Sequence, residues 1–364
     1  MKSAILCLFA CVFLFLNGWS QHLKPGFDKQ EYIELLKVNS MFGDSAFRAN
    51  IPLPANSTFL YRSPVVGLEN RWDLYIRKDK VAIISIRGTT ASKESWMANF
   101  YSAMVPAVGV LHLSNTDSFS YHLADDPKAA VHVGWLLSAA YLSKTILPKI
   151  DSLYQSGIKD FIIMGHSQGG AITYLMTAYL YNLQQENILP QDIRFKTYCS
   201  AGPKPGNLYF AYDYEKITNG GWAYNVVNTA DWVPETPITI QTLHDFNKTN
   251  VFAVAPKLMK KQKFPMNWVG KYVFNRLSKP GLKAQRVYEK YLGRYVSKQV
   301  QKQLPDLIIP DYYHSTDFVR TGNYVLLYAD STYYKRFPDS ESNVFIHHMF
   351  QAYLYLSEKL PESH

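Results

Sequence analysis

The chain predicts an α/β fold, a mostly parallel central sheet with helices on both faces. Three observations point there. Short apolar runs at 81–86, 160–164, 195–200, 224–228 and 323–329 have the continuous hydrophobicity of strands buried on both sides. Stretches of helical spacing lie between them, and alternation of strand and helix is the pattern of parallel crossover units. With 364 residues, 47% hydrophobic and 18% charged, the chain can bury a large core. That balance excludes a disordered tail, a collagen-like fibre and a low-complexity linker. Three cysteines exclude a disulfide scaffold, and a single long apolar run excludes a polytopic membrane protein.

That run opens the chain. Lys2 precedes an apolar stretch at 5–16, which fits the core of an export signal and is short for a bilayer span. Gly18 and Ser20 put small residues at −3 and −1, so cleavage is expected before Gln21. The reading is a signal peptide at 1–20 and a single domain at 21–364, exported to an extracellular or periplasmic space. Cys7 and Cys11 leave with the signal, and Cys199 alone makes no intramolecular disulfide.

The elements follow in order. Residues 28–38 read as an opening helix with Tyr32, Leu35 and Leu36 on one face. The strand at 81–86 runs into Arg87-Gly88-Thr89-Thr90. The polar stretch 115–127 reads as a loop, and a helix begins at 131–142. The strand at 160–164 stops at Gly165, and an apolar helix follows at 171–183. Strands at 195–200, 224–228 and 323–329 come next, and 344–360 reads as a terminal helix.

Between the last two strands lies an insert of unusual charge. Residues 246–303 hold fourteen Lys and Arg against one acid, Glu289, a net +13, so the rest of the chain is mildly acidic. Val287, Tyr288, Tyr291, Leu292, Tyr295, Val296 and Val300 recur at helical intervals, and Trp268, Tyr272, Val273 and Leu277 form a shorter stripe. Pro265 and Pro280-Gly281 punctuate the two. One reading is a helical pair with a solvated basic face. The other is adsorption to an anionic membrane or lipid surface, where each basic side chain contributes on the order of 1 kcal/mol. No recognition motif supports nucleic acid as a partner.

The most informative residues are Gly165-His166-Ser167-Gln168-Gly169-Gly170, a G-x-S-x-G pattern between an apolar strand and an apolar helix. A nucleophilic serine on a sharp strand-to-helix turn projects its Oγ from the sheet edge, and the helix start beside it favours developing negative charge. A serine needs a histidine base and a carboxylate to orient that base, in chain order Ser, Asp or Glu, His. Order alone admits Asp213, Asp231 and Asp245, then His244, His314, His347, His348 and His364. Asp231 follows a strand, from whose end it can reach a histidine above the sheet. The histidines lack metal-site spacing such as H-E-x-x-H, and no cofactor is implied.

At these residues the sequence resembles a known family. Ile86-Arg87-Gly88-Thr89, Val131-His132-Val133-Gly134-Trp135, the elbow at 165–170 and Asn228-Thr229-Ala230-Asp231-Trp232-Val233-Pro234 look like the ordered motifs of the class 3 lipases, the fungal-lipase-like branch of the α/β-hydrolase fold. The resemblance spans roughly 70–240 and again 310–360, and leaves out the basic insert. It implies an exported serine hydrolase of lipid esters, triacylglycerol lipase first. Phospholipase, short-chain carboxylesterase and acyltransferase follow, with a non-catalytic lipid-binding protein as the rival of another class. It implies Ser167 as nucleophile, Asp231 as the acid, and His348, five residues before Tyr353, as the base in preference to His347. His314 would be structural. Thr89 and Gln168 would form the oxyanion hole, and residues 92–100 a lid helix with Trp96, Met97 and Phe100 on its apolar side. Members often have leucine where this chain has Gln168, and an acid near the position of Asn99.

Overall fold

The computed structural model describes residues 22–43 and 48–362, so the expected signal peptide and its cleavage point lie outside the described residues. In chain order the elements are α1 (Lys29–Ser40), β1 (Ser57–Arg62), β2 (Trp72–Arg77), β3 (Ala82–Ile86), α2 (Lys93–Phe100), β4 (Met104–Pro106), β5 (Val108–His112), β6 (Ser118–His122), β7 (Ala130–His132), α3 (Val133–Gln155), β8 (Asp160–His166), α4 (Gln168–Gln185), β9 (Arg194–Ser200), α5 (Leu208–Ile217), β10 (Ala223–Asn228), α6 (Val251–Lys260), α7 (Met266–Tyr288), a π-helical turn (Glu289–Tyr295), α8 (Val296–Gln303), β11 (Asn323–Leu327), α9 (Ser331–Arg336) and α10 (Phe350–Glu358).

Seven strands form the central sheet in the order β1-β2-β3-β8-β9-β10-β11. β3, β8, β9, β10 and β11 run parallel to their neighbours, while β1 and β2 make an antiparallel edge. The five parallel strands are the apolar runs of the sequence. β8 is buried along its whole length because helices cover both faces. One face packs on α3 and α4, with Trp72, Ile84, Phe161, Ile163 and Phe195 inside. The other packs on α1 and α10, around Tyr32, Leu36, Ile83, Ile162, Met164 and Tyr353. This is the α/β-hydrolase arrangement expected from the sequence.

Three local expectations are corrected. The stretch 115–127 is not all loop: β6 pairs antiparallel with β5, because Phe119 and Tyr121 alternate inward with exposed Ser118 and Ser120. The terminal helix begins at Phe350 rather than 344, since Phe345 and Met349 line a pocket instead of forming a helical face. Pro280-Gly281 does not divide the insert: α7 runs through both residues, and the chain passes through the π-helical turn directly into α8.

Candidate active site

Ser167 sits between β8 and α4 with φ 62° and ψ −132°, a conformation side chains rarely adopt. The turn is tight enough to demand glycine on both sides. A Cβ on Gly165 would lie 2.2 Å from the Gly169 carbonyl, and one on Gly169 would lie 2.4 Å from the Ile86 oxygen of β3. The strand therefore delivers the serine to the C-terminal edge of the sheet, its N–H held by the Ser200 carbonyl at 3.0 Å.

Asp231 follows β10 and meets His348, which precedes α10. The His348 Nδ1–H donates to Asp231 Oδ2 at 2.7 Å. The same oxygen accepts from the Tyr353 hydroxyl at 2.8 Å, and Oδ1 accepts the Val233 N–H at 3.0 Å. Burial alone would raise the Asp231 carboxyl. His348, the Val233 N–H and the Tyr353 hydroxyl outweigh it and hold the group below its ordinary value. With Nδ1 protonated toward the carboxylate, the neutral imidazole leaves Nε2 as an acceptor. That Nε2 is buried and has no hydrogen-bond partner among the described residues. Ser167 and His348 line one pocket of about 600 Å³, with Gly88, Thr89, Phe42, Trp96, Phe345, Met349 and Phe350 around them.

The other candidates lie elsewhere. Asp213 accepts the Asp126 N–H, and Asp245 is engaged by Thr242 and Ser315. His314, mostly exposed, pairs with Glu289. His347 is held by the Tyr333 hydroxyl at Nδ1 and by Asp339 at Nε2. Beneath the pocket, His166 donates from Nε2 to the His348 carbonyl at 2.8 Å, so its Nδ1 accepts from Ser200 Oγ, which accepts in turn from the Tyr32 hydroxyl. Burial, with His348 beside it, pushes the His166 pKa down to about 3 and keeps the ring neutral.

Thr89 lies at the end of β3, against the start of α4. Its hydroxyl donates to Gln168 Oε1 at 2.8 Å and accepts from Asn99 Nδ2 at 2.9 Å. Asn99 Oδ1 accepts from Trp135 Nε1, and His132 Nε2 donates to the Asn99 carbonyl. The 131–135 motif thus acts through Asn99: its histidine and tryptophan grip the end of α2, which borders the pocket. The sequence reading did not assign Asn99 this place. The amide supplies both a donor to Thr89 and an acceptor to Trp135, and a carboxylate would supply only the second. On α2, Trp96 lines the pocket and faces Phe345, with Phe100 stacked beside it. Met97 instead packs toward the body, so the three residues do not share one face. Tyr353, only a spacing mark in the sequence, donates its hydroxyl to Asp231.

Among the described residues no cluster of three His, Cys, Asp or Glu could hold a metal ion. The family model described as Lipase (class 3) matches residues 83–241, which contain Thr89, the elbow and Asp231. Among solved structures, the Lip2 lipase from Yarrowia lipolytica is similar at 17% identity over 59% of this chain and 76% of that one, with a TM-score of 0.42. The Rhizomucor miehei triacylglyceride lipase is 18% identical over 59% and 77%, with a TM-score of 0.42. A lipase from Rhizopus microsporus var. chinensis is 21% identical over 58% and 69%, with a TM-score of 0.38. No curated protein matches the sequence. Residues 83–241 thus match the class 3 lipase model, and in the structure they contribute β8, β9 and β10 to the mostly parallel sheet.

Proposed function

We propose that the chain is an exported serine hydrolase that cleaves lipid esters in the manner of a triacylglycerol lipase. One observation carries the reading: an imidazole fixed at Nδ1 by Asp231, with a buried, unpartnered Nε2, in the pocket that Ser167 lines. Ser167 Oγ attacks the acyl carbonyl as His348 Nε2 takes its proton. The tetrahedral oxyanion is stabilised by the N–H groups of Thr89 and Gln168. His348 returns the proton to the leaving alcohol, and an acyl-enzyme remains. Water then attacks that ester with His348 again as base, releasing the fatty acid and restoring Ser167. The aromatic and Met lining of the pocket suits an acyl chain. Trp96 at its edge supports α2 as a lid over that chain, and the apolar run at 5–16 supports export. The chemistry calls on no metal or organic cofactor.

A phospholipase is the second reading, favoured by the basic insert. The test is hydrolysis of emulsified triolein, phosphatidylglycerol vesicles and a soluble butyrate ester by wild type and Ser167→Ala. Loss of at least about 10⁴-fold in the mutant is expected. Triolein against vesicles ranks lipase and phospholipase, and butyrate alone leaves an esterase. Equal rates in the two proteins, or none in folded protein, would favour lipid binding without catalysis.

A further inference from the structure

The insert opens with a helical hairpin, α6 and α7, that leaves large apolar side chains exposed. In α6 no residue is buried, and in α7 only Gln285 and Tyr288 are. The face that α7 turns inward is mixed, with Asn267, Gly270, Phe274, Ser278, Leu282 and Gln285 less exposed, and Gly270 close against Met259 of α6. Its outward stripe, Met266, Val269, Val273 and Leu277, follows a three- and four-residue spacing and is exposed, Leu277 to 78%. Beside that stripe Arg276, Lys279, Lys283 and Arg286 recur at the same spacing, also exposed. Trp268 and Tyr272 stack nearby.

The charges meet no carboxylate. No lysine or arginine of 246–303 forms an ion pair among the described residues, and the segment's one acid, Glu289, is buried and turned to Gln285 and His314. An exposed apolar stripe with flanking cations and interfacial aromatics matches an anionic bilayer surface on both counts, headgroup charge and acyl depth. A nucleic acid would use the cations and leave the stripe in water.

The hairpin's base is joined to the pocket rim. Ser102, just past α2, donates its N–H to the Leu292 carbonyl at 3.1 Å, and its hydroxyl meets the Tyr288 hydroxyl at 2.7 Å. We infer that the α6–α7 hairpin docks the protein on an anionic phospholipid surface through the 266–277 stripe and the 276–286 cations, setting the α2 side of the pocket against the lipid. The docking surface deepens the lipid-ester reading, and it can be measured without catalysis.

The test is flotation of full-length Ser167→Ala protein with phosphatidylglycerol or phosphatidylcholine vesicles. Partition to phosphatidylglycerol is expected at least about tenfold stronger and weaker with added salt. The variant R276Q/K279Q/K283Q/R286Q should lose at least about tenfold, and V269S/V273S/L277S a similar factor. In the Ser167 background both variants should keep wild-type kcat/KM on soluble butyrate. Equal partition to the two lipids, no partition, or indifference to both variants would overturn the docking surface. So would tighter retention on a DNA duplex than on the anionic vesicles, or a dimer broken by the apolar variant. Adsorption without hydrolysis of triolein, vesicles or butyrate would uphold docking while sinking the serine-hydrolase reading.

Discussion

The body and the 246–303 insert handle charge and apolar surface in opposite ways. In the body, Glu31 receives both Arg77 at 2.5 Å and Lys196 at 2.6 Å, and Arg194 closes on Asp160. Lys196 is among the largest fully buried side chains, which it can be only because its charge is met. In the insert, fourteen cations face solvent without a carboxylate, and large apolar side chains stand beside them. A region that neutralises its own charges is complete as a fold. A region that leaves them open has its energetic complement outside the chain.

The contrast can be broken most severely at the elbow. Gly165→Ala places a Cβ on backbone atoms that have nowhere to move, so the loss of stability should exceed about 4 kcal/mol, read by chemical denaturation. A loss under about 1 kcal/mol would mean the turn is looser than its geometry. Acid comes next. Burial pushes His132 and His166 down to about 3, from an ordinary 6.5. Below pH 6.5 the unfolded chain takes up protons that these folded rings refuse, so stability falls as pH drops from 6.5 toward 3. The slope should approach about 1.4 kcal/mol per pH unit for each ring. The insert contains no histidine. Urea midpoints between pH 7 and pH 4.5 would check this, and a flat profile would contradict it. The smallest effect is expected in the hairpin. A Cβ on Gly281 would meet nothing nearer than 3.5 Å, so Gly281→Ala should be neutral or stabilising by about 0.5–1 kcal/mol in thermal unfolding.

The parts readable in advance were those whose residues obey one physical rule at a time. β8, the elbow and α4 announce themselves because total burial makes the strand apolar and because close approach makes two positions glycine. β1 was not read, since its side chains are mostly exposed on an edge and alternate weakly. Residues 344–349 were misread as helix because apolar side chains serving a pocket look like those serving a helical face. Chain order left three aspartates and five histidines open. Only the sheet brings Asp231 to His348 rather than to His347, one residue away, whose ring turns to Tyr333 and Asp339. Asn99 carries no signal by itself: its role exists only where Thr89, His132 and Trp135 converge.

The hydrogen bonds under the pocket also say when the site comes into being. Asp231 and His348 are separated by 117 positions, His166 and His348 by 182, and Tyr32 and Ser200 by 168. Because Nε2 of His166 must donate to the His348 carbonyl, the relay from Tyr32 through Ser200 has one direction only. During synthesis the elbow can form long before residue 348 leaves the ribosome. Until then Ser167 lacks the His348 imidazole, and Asp231 lacks its histidine partner. The pocket is thus timed by chain length: its chemistry waits until residue 348 has been made and α1 and α10 close on the same sheet.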